Sequence, residues 1–504
     1  MFTKLKTLLF GKRQNRSSTS DMPVSGNSYV VNEQVSTQEA VETEAQEQNM
    51  TEPKRDTLAL LFKTDLENVR LDGDFGVAFK RMEETQENLI ITGKAGTGKS
   101  TLLKYFLVHT KKQAVALAPT GVAALNIMGD TIHSFFKFPP RILTENDTDK
   151  VVFDDKYSLL DTLILDEFSM INANVLDAID RFLRVNGRDS NKPFGGIQLI
   201  LFGDLFQLPP VVTEHEESLY FSYEYGCPWF FAAKVFFDPL WNYDIIELSK
   251  NFRQKNIEFG SILDAIRLGE QTPDQLNTIN TRFNKAVEDS QTYPIILVPR
   301  NVQANEINNY HMSKLDSELF ILEGIVQKEF PLKRFPTDKN LKLKVGAQVM
   351  FLVNDPDHRW ANGTIGKVVT LTPKLIEVEI IERGLKFKYT VCPYTWTSYA
   401  YRYDPKDHRV EREKTGTFTQ YPLKLAWAIT IHKSQGLTFD SVTIDMGYGA
   451  FSEGQTYVAL SRCRTLEGIR LNRRISSSDI KVDPNARRFY KEKVASRQPL
   501  TTSR

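Results

Sequence analysis

Gly93-Lys94-Ala95-Gly96-Thr97-Gly98-Lys99-Ser100 gathers three glycines, two lysines and two hydroxyls into eight residues. The apolar run Leu89-Ile90-Ile91 precedes it, and Thr101-Leu102-Leu103-Lys104-Tyr105-Phe106 follows, which reads as strand, tight turn and helix. In that context the string is a Walker A phosphate-binding loop. Glycines let successive backbone N–H groups curl around a phosphate without Cβ clashes. The start of the helix adds the positive end of its dipole. Lys99 has the reach for β- and γ-phosphates, and the Ser100 hydroxyl suits Mg²⁺. Gly93, Ala95, Gly96, Thr97, Gly98, Lys99, Ser100 and Thr101 are therefore the candidate nucleotide-binding residues. The chemistry is binding and hydrolysis of a nucleoside triphosphate.

Further strings carry residues suited to the same reaction. Leu163-Ile164-Leu165-Asp166-Glu167 is an apolar run ending in two carboxylates. Asp166 can hold Mg²⁺ with Ser100, since a hard cation takes oxygen ligands. Glu167 can orient and deprotonate water. Alone, such a pair is usually a helix cap or solvated; behind a phosphate loop it reads as functional. Gly203-Asp204-Leu205-Phe206-Gln207-Leu208-Pro209-Pro210 ends the next apolar run. Gln207 can sense the γ-phosphate or the attacking water, the plainer alternative being a proline-terminated loop. Arg253 in Asn251-Phe252-Arg253-Gln254 and Arg462 in Tyr457-Val-Ala-Leu-Ser-Arg462-Cys-Arg464 can neutralise charge spreading over a transferring γ-phosphoryl group. An isolated arginine is more often a surface ion pair.

Three strings mix small, hydroxyl, imidazole and aromatic residues: Pro119-Thr120-Gly121-Val-Ala-Ala124, Thr131-Ile-His133-Ser-Phe135-Phe136 and Thr430-Ile-His432-Lys433-Ser434-Gln435-Gly436. Hydroxyls and backbone N–H groups hold phosphates, while His and Phe stack on unpaired bases. Pro119, Thr120, His133, Phe135, His432 and Ser434 are the candidate nucleic-acid contacts, and Gly436 a further nucleotide contact. Aromatics at such positions are also common core residues.

The elements that must position these groups follow from the pattern of apolar runs. A chain of 504 residues is too long for one core. Ala114–Ala118, Thr162–Leu165 and Ile197–Phe202 are continuous apolar runs, the texture of strands buried on both faces of a parallel sheet. Residues 57–247 form one α/β domain with ligands at the carboxyl ends of its strands. Ile295–Val298 and Ser441–Asp445 begin a second set, giving a second domain over 248–335 and 421–475. Between them, alternating β-branched and aromatic residues with turns at Asn362-Gly363 and Glu382-Arg383-Gly384 predict a small antiparallel barrel over 336–420.

With 64 basic and 63 acidic residues the net charge is +1, so a polyanion must be met in a locally basic channel. Cys227, Cys392 and Cys463 form no C-x-x-C pair, which argues against structural zinc and a disulfide framework and fits a reducing compartment. No apolar stretch approaches the roughly 20 residues that span a bilayer. Met1–Ser20 carries five basic residues and no acid, with Phe2, Leu5, Leu8, Leu9 and Phe10 able to share a helical face. That is an organelle presequence, an arm touching nucleic acid or membrane, or a solvated basic tail. Asp21–Pro53 is polar and acidic, so residues 1–56 are expected to be a disordered tail. Residues 476–504 are expected to be a basic C-terminal tail.

Taken in order, these strings resemble the helicase motifs of superfamily one, and more closely the PIF family (petite integration frequency helicases) of the RecD-like branch. Val175–Arg184 followed by Asn191-Lys-Pro-Phe-Gly-Gly196 looks like that family's signature segment. The similarity runs from about Asn88 to Arg470. It implies two RecA-like parallel-sheet domains sandwiching ATP, with a Src-homology-3-like barrel inserted in the second and a small wedge near 138–157. It implies an ATP-dependent helicase moving 5′ to 3′ on single-stranded DNA, monomeric, in replication, repair, recombination or telomere maintenance. Lys99, Ser100 and Asp166 would bind Mg²⁺ and ATP, Glu167 would activate water, and Gln207, Arg253 and Arg462 would surround the γ-phosphate. Single-strand/duplex junctions are the expected partners and G-quadruplex DNA a further one; no membrane partner is expected. The location implied is the cytoplasm, at the nucleoid, in a prokaryote, with organelle targeting the alternative.

Relatives commonly carry an adenine-reading glutamine upstream of the loop. Here Phe75 falls there and Gln86 is too close to Gly93, so other triphosphates remain open. An RNA-directed helicase and a nucleotide-switched single-strand-binding protein without unwinding are the rival readings. Retention of Glu167, Arg253 and Arg462 weighs against the switch.

Overall fold

The structure, a computed structural model, describes residues 69–495 together with Leu66, apart from 153, 213–214, 255, 286–292, 358, 374, 383 and 405–408. The expected N-terminal tail (1–56) lies outside the described residues.

The apolar runs form a parallel sheet of six strands: β1 (Asn88–Gly93), β2 (Ala114–Ala118), β3 (Asp130–Thr131), β4 (Thr162–Leu165), β5 (Gln198–Phe202) and β6 (Tyr243–Leu248), ordered β3-β2-β4-β5-β1-β6. Burial alternates along each strand between two cores. Ile90, Leu117, Leu165 and Leu201 enter one, while Leu89, Ile91, Ala116 and Ile200 enter the other. That is why these strands read as continuous apolar runs. Helices α1 (Gly73–Glu84) and α2 (Lys99–His109) supply Met82, Leu103 and Phe106 to the second core; α3 (Ala173–Asn186) supplies Leu176, Ile179 and Leu183 to the first. Parallel register then delivers Lys94, Pro119, Asp166 and Gly203 to a single edge.

A second parallel sheet follows: β7 (Ile296–Val298), β8 (Ala428–Thr430), β9 (Val442–Ile444) and β10 (Ile469–Leu471), ordered β8-β7-β9-β10. Helices α4 (Ile257–Leu268) and α5 (Gln455–Ser461) accompany it. Antiparallel strands are inserted between β7 and β8.

The structure corrects three expectations, on the start of the insertion, its division into sheets and the C-terminal segment. The inserted strands begin at Phe320, before residue 336, and they form more than one sheet. A five-stranded sheet runs through Gln348–Phe351, Ile365–Leu371, Ile376–Glu382, Leu385–Thr390 and Leu423–Leu425. Tyr394–Asp404 and Arg409–Gln420 instead make a long ribbon that joins Ile325–Lys328 and reaches the first sheet. There the Tyr401 hydroxyl accepts from Ala116 N–H at 3.2 Å, and buried Arg334 pairs with Asp130. Alternation of aromatic and β-branched residues suits ribbon and barrel equally, so pattern alone could not part them.

The segment 138–157 has no strand among its described residues. It holds two single helical turns, Glu145–Thr148 and Lys156–Leu159, pinned by Asn174, whose amide bonds both Leu143 N and O at 2.8 and 2.9 Å. Phe138 and Tyr157 are drawn into an aromatic cluster with Phe136 and Phe182, which keeps this segment on α3. Phe135 belongs to that cluster too.

Residues 476–495 are not a free basic tail. Helix α6 (Pro484–Phe489) and the turn Tyr490–Val494 bury Ala486, Phe489 and Val494, with Phe489 stacked on Phe231 at 4.5 Å. Arg487 and Lys491 pair with Glu270 at 2.8 and 3.1 Å. Three buried apolar positions hidden among basic ones carry the packing. Phe489→Ala is expected to lower the free energy of unfolding in denaturant by about 2–4 kcal/mol; a solvated tail would give under about 0.5 kcal/mol.

Candidate active site

The loop after β1 takes left-handed backbone at Gly96 (φ 87°) and Gly98 (φ 83°), the latter capping α2. At Gly96 closeness matters as well, since a Cβ there would lie 2.6 Å from Cβ of Arg253. The segment after β6 grips this loop: Asn251 Nδ2 donates to Ala95 O at 3.1 Å and Phe252 N–H to Gly96 O at 2.9 Å. Lys99 Nζ donates to the Gly93 and Lys94 carbonyls at 2.8 and 3.0 Å. Of the expected nucleotide, metal and catalytic residues, all but Gly93 line one cavity of about 590 Å³ between the two sheets.

Asp166 and Glu167 sit where β4 ends. Glu167 has left-handed backbone (φ 51°) without being glycine, at a cost of about 1–2 kcal/mol. Such strain gathers at working sites, and here it turns the chain so that both carboxylates line the cavity. Burial, and then the Glu167 charge, push the Asp166 carboxyl up to about 7. Burial also raises Glu167, against the pull of Lys99 and Arg462. Burial lowers the Lys99 ammonium, against the pull of Asp204 and Glu167. A carboxylate pair strained in this way suits a divalent cation held with the exposed Ser100 hydroxyl, so the donor set fits Mg²⁺.

The opposite wall is cationic. Arg462, 1 % exposed, bonds only uncharged oxygens among its described partners: Val458 O at 3.0 Å, Ser461 Oγ at 3.0 Å, Ser434 O at 3.3 Å and Leu437 O at 3.4 Å. Burial and the neighbouring Arg253 bring it down to about 9. Arg253 donates to Ser461 O at 3.1 Å, and burial lowers it as well. Gln207 Oε1 accepts from Gln435 Nε2 at 3.4 Å. Gly436 is exposed with φ 77°. Phe75 and Phe252 flank Gly98, their rings 3.4 and 3.6 Å from where its Cβ would be.

The candidate nucleic-acid contacts divide. Thr120 is exposed and caps a short helix, accepting from Ala123 N–H at 3.3 Å. Pro119, His133 and His432 are half-buried, and burial keeps the His432 imidazole toward its neutral form. Phe135 and Ser434 are corrections. Phe135 is 2 % exposed, wedged among Phe136, Tyr157 and Tyr401. Ser434 is fully buried, its hydroxyl spent on Ile431 O at 2.7 Å.

Three further polar residues meet behind the loop without having been singled out as site residues: Asp204, Arg267 and Tyr457. Two of them stand within strings noted above. Arg267 gives no signal, since one arginine near the end of an amphipathic helix reads as surface.

A family model described as PIF1-like helicase matches residues 77–276. The ATP-dependent DNA helicase Pif1 of Bdellovibrio bacteriovorus is 33% identical over 417 residues, 81% of this chain and 88% of that one. The crystal structure of Bacteroides sp. Pif1 in complex with ADP-AlF4 superposes with a TM-score of 0.75 at 36% identity, covering 84% of this chain and 98% of that one. Bacteroides Pif1 bound to ssDNA gives 0.60 at 37% identity, covering 84% and 97%. At this identity and coverage, the chain belongs to the Pif1 family of ATP-dependent DNA helicases.

Proposed function

We propose that this chain hydrolyses Mg·ATP in the cleft between its two parallel sheets, and that the cycle drives it 5′ to 3′ along single-stranded DNA as a monomer, displacing the complementary strand. The observation that carries this is the division of charge: the Asp166 and Glu167 carboxylates on one wall, the Arg253 and Arg462 guanidiniums on the other, and a phosphate loop between them. Lys99, seated on the Gly93 and Lys94 carbonyls, turns its remaining N–H to the β- and γ-phosphates. Ser100 and Asp166 would hold Mg²⁺, which when bound would supply positive charge to the phosphate oxygens. Glu167 accepts the proton of the attacking water at its carboxylate, and Gln207 orients that water. Arg253 and Arg462 stabilise the charge on the γ-phosphoryl oxygens only when the second sheet is close. Hydrolysis therefore alternates closure and opening.

Thr120 with Pro119 and His133 on the first domain, and His432 on the second, form two grips whose spacing changes with closure. The ssDNA bound by Bacteroides Pif1 supports DNA as the strand held. Polarity rests on the family resemblance. Junctions and G-quadruplex DNA are the proposed targets, in replication, repair or recombination. Among the described residues no helix is long and apolar enough to cross a membrane.

Strand displacement with Mg²⁺ and ATP, on duplexes carrying only a 5′ or only a 3′ single-stranded tail, tests this. Unwinding is expected from the 5′ tail alone; unwinding from the 3′ tail alone overturns the polarity. ATPase stimulation by RNA but not DNA favours the RNA-directed reading, and nucleotide-dependent strand binding without displacement favours the switch. Lys99→Ala is expected to cut kcat/KM for ATP by at least about 100-fold, equivalent to about 2.7 kcal/mol. Gly96→Ala, through its collision with Arg253, is expected to cut it at least tenfold while the unfolding transition is retained; unchanged turnover would show that this close approach is unimportant.

A further inference from the structure

Tyr457 projects from α5 of the second domain into the first. Its hydroxyl accepts from the Ala95 N–H of the phosphate loop at 2.9 Å and donates to Asp204 Oδ2 at 3.1 Å. Asp204 is fully buried, and its other oxygen pairs with Arg267 Nη2 of α4 at 2.9 Å. The Arg267 guanidinium lies between the rings of Phe206 and Tyr490, 4.6 and 5.2 Å from their centroids. Two helices of the second domain thus reach one loop amide through consecutive buried polar contacts.

What that amide controls follows from peptide planarity. The Ala95 N–H and the Lys94 carbonyl belong to one rigid plane. Fixing the N–H fixes the carbonyl, and that carbonyl receives Lys99 Nζ at 3.0 Å. A chain of contacts therefore runs from the second domain through Tyr457 and the 94–95 peptide to the lysine of the phosphate loop. Donation to Asp204 requires the hydroxyl proton, while the oxygen accepts from Ala95 through a lone pair. Burial and the Asp204 charge raise the Tyr457 phenol well above its ordinary value and so retain that proton.

We propose that Tyr457 is a positioning residue: held by Asp204 and Arg267, it sets the Lys94–Ala95 peptide and with it Lys99, so that the placement of the second domain tunes affinity for the triphosphate. Resting on the proposed helicase cycle, this adds a route by which DNA bound across the two domains changes nucleotide binding. Coupling of that kind is reciprocal, so nucleotide must alter DNA affinity by the same factor.

The test is Tyr457→Phe in the full chain, which keeps the ring and removes both hydrogen bonds. KM for ATP is expected to rise at least fivefold with kcat within about twofold. The shift in affinity for a fluorescent ATP analogue on adding oligo(dT) should fall to less than half of its wild-type fold-change. Arg267→Lys keeps the cation, loses the planar fork, and should move both quantities the same way by less. Unchanged KM with an unchanged DNA-linked shift overturns the proposal. So does a fall in kcat and melting temperature without a change in KM, the mark of a merely structural contact. A wild-type chain without any DNA-linked shift removes the tuning, while the KM change in the absence of DNA still tests the positioning. Absence of DNA-stimulated hydrolysis in wild type defeats the helicase reading instead, which keeps the two failures apart.

Discussion

The rest of this molecule depends on like charges brought together where water reaches them only in part. Arg253 and Arg462 lie close together on one wall with carbonyl and hydroxyl partners, while Asp166 and Glu167 share the other. Like charges brought together in a low dielectric raise each other's free energy, and uncharged oxygens compensate a cation only in part. A metal-bound polyphosphate presents cation to the carboxylates and anion to the arginines at once. In the proposed cycle its entry would therefore favour approach of the two walls, and its hydrolysis would weaken the reason for that approach. The two parallel sheets hold each half of this charge pattern.

Rigidity on the first wall is built locally. Asp180 of α3 accepts from Phe194 N–H at 2.6 Å and from Arg184 Nε at 2.9 Å, while Arg184 also reaches Asp238 at 2.7 Å. Phe194, Gly195 and Gly196 are all left-handed, and Phe194 is fully buried. The segment that looked like a family signature is thus a brace: it fixes α3 to the start of β5, whose far end carries Asp204 and Gln207. Its value to catalysis is indirect, through the stiffness of the strands that end in the cleft.

Much of this was legible in the sequence because the physics is local. Continuous apolar runs can only be doubly buried strands, and a glycine loop between strand and helix has one common use. Asp166-Glu167 and Gln207 gained meaning from the strand ends they follow. What was not legible depends mostly on contacts distant in sequence. Phe135 and Ser434 occupy DNA-suited strings, yet Tyr401, 266 residues after Phe135, helps to seal the former, and a local turn consumes the hydroxyl of the latter. The basic C-terminal segment hides Phe489 and Tyr490, whose partners Phe231 and Glu247 no periodicity reveals. Arg267 looked like any surface arginine until Asp204 was found beside it.

The inserted ribbon carries this reasoning to the DNA-facing surface. Asp130 opens the short strand before His133. Its carboxylate is held by Arg334 from the inserted region, and it accepts from Thr131 N–H and, at 3.2 Å, from Ser134 Oγ. Tyr401 of the ribbon presses on Phe135 just beyond, at 5.8 Å between rings. The loop that would hold the strand on the first domain is thus shaped by residues inserted in the second. Breaking a buried carboxylate–guanidinium pair costs about 3–5 kcal/mol, so this contact resists being lost at every step. On the proposed helicase cycle the ribbon would travel with the first domain, and motion between the sheets would change the distance from His133 to His432 without distorting either grip, as stepping along a strand requires.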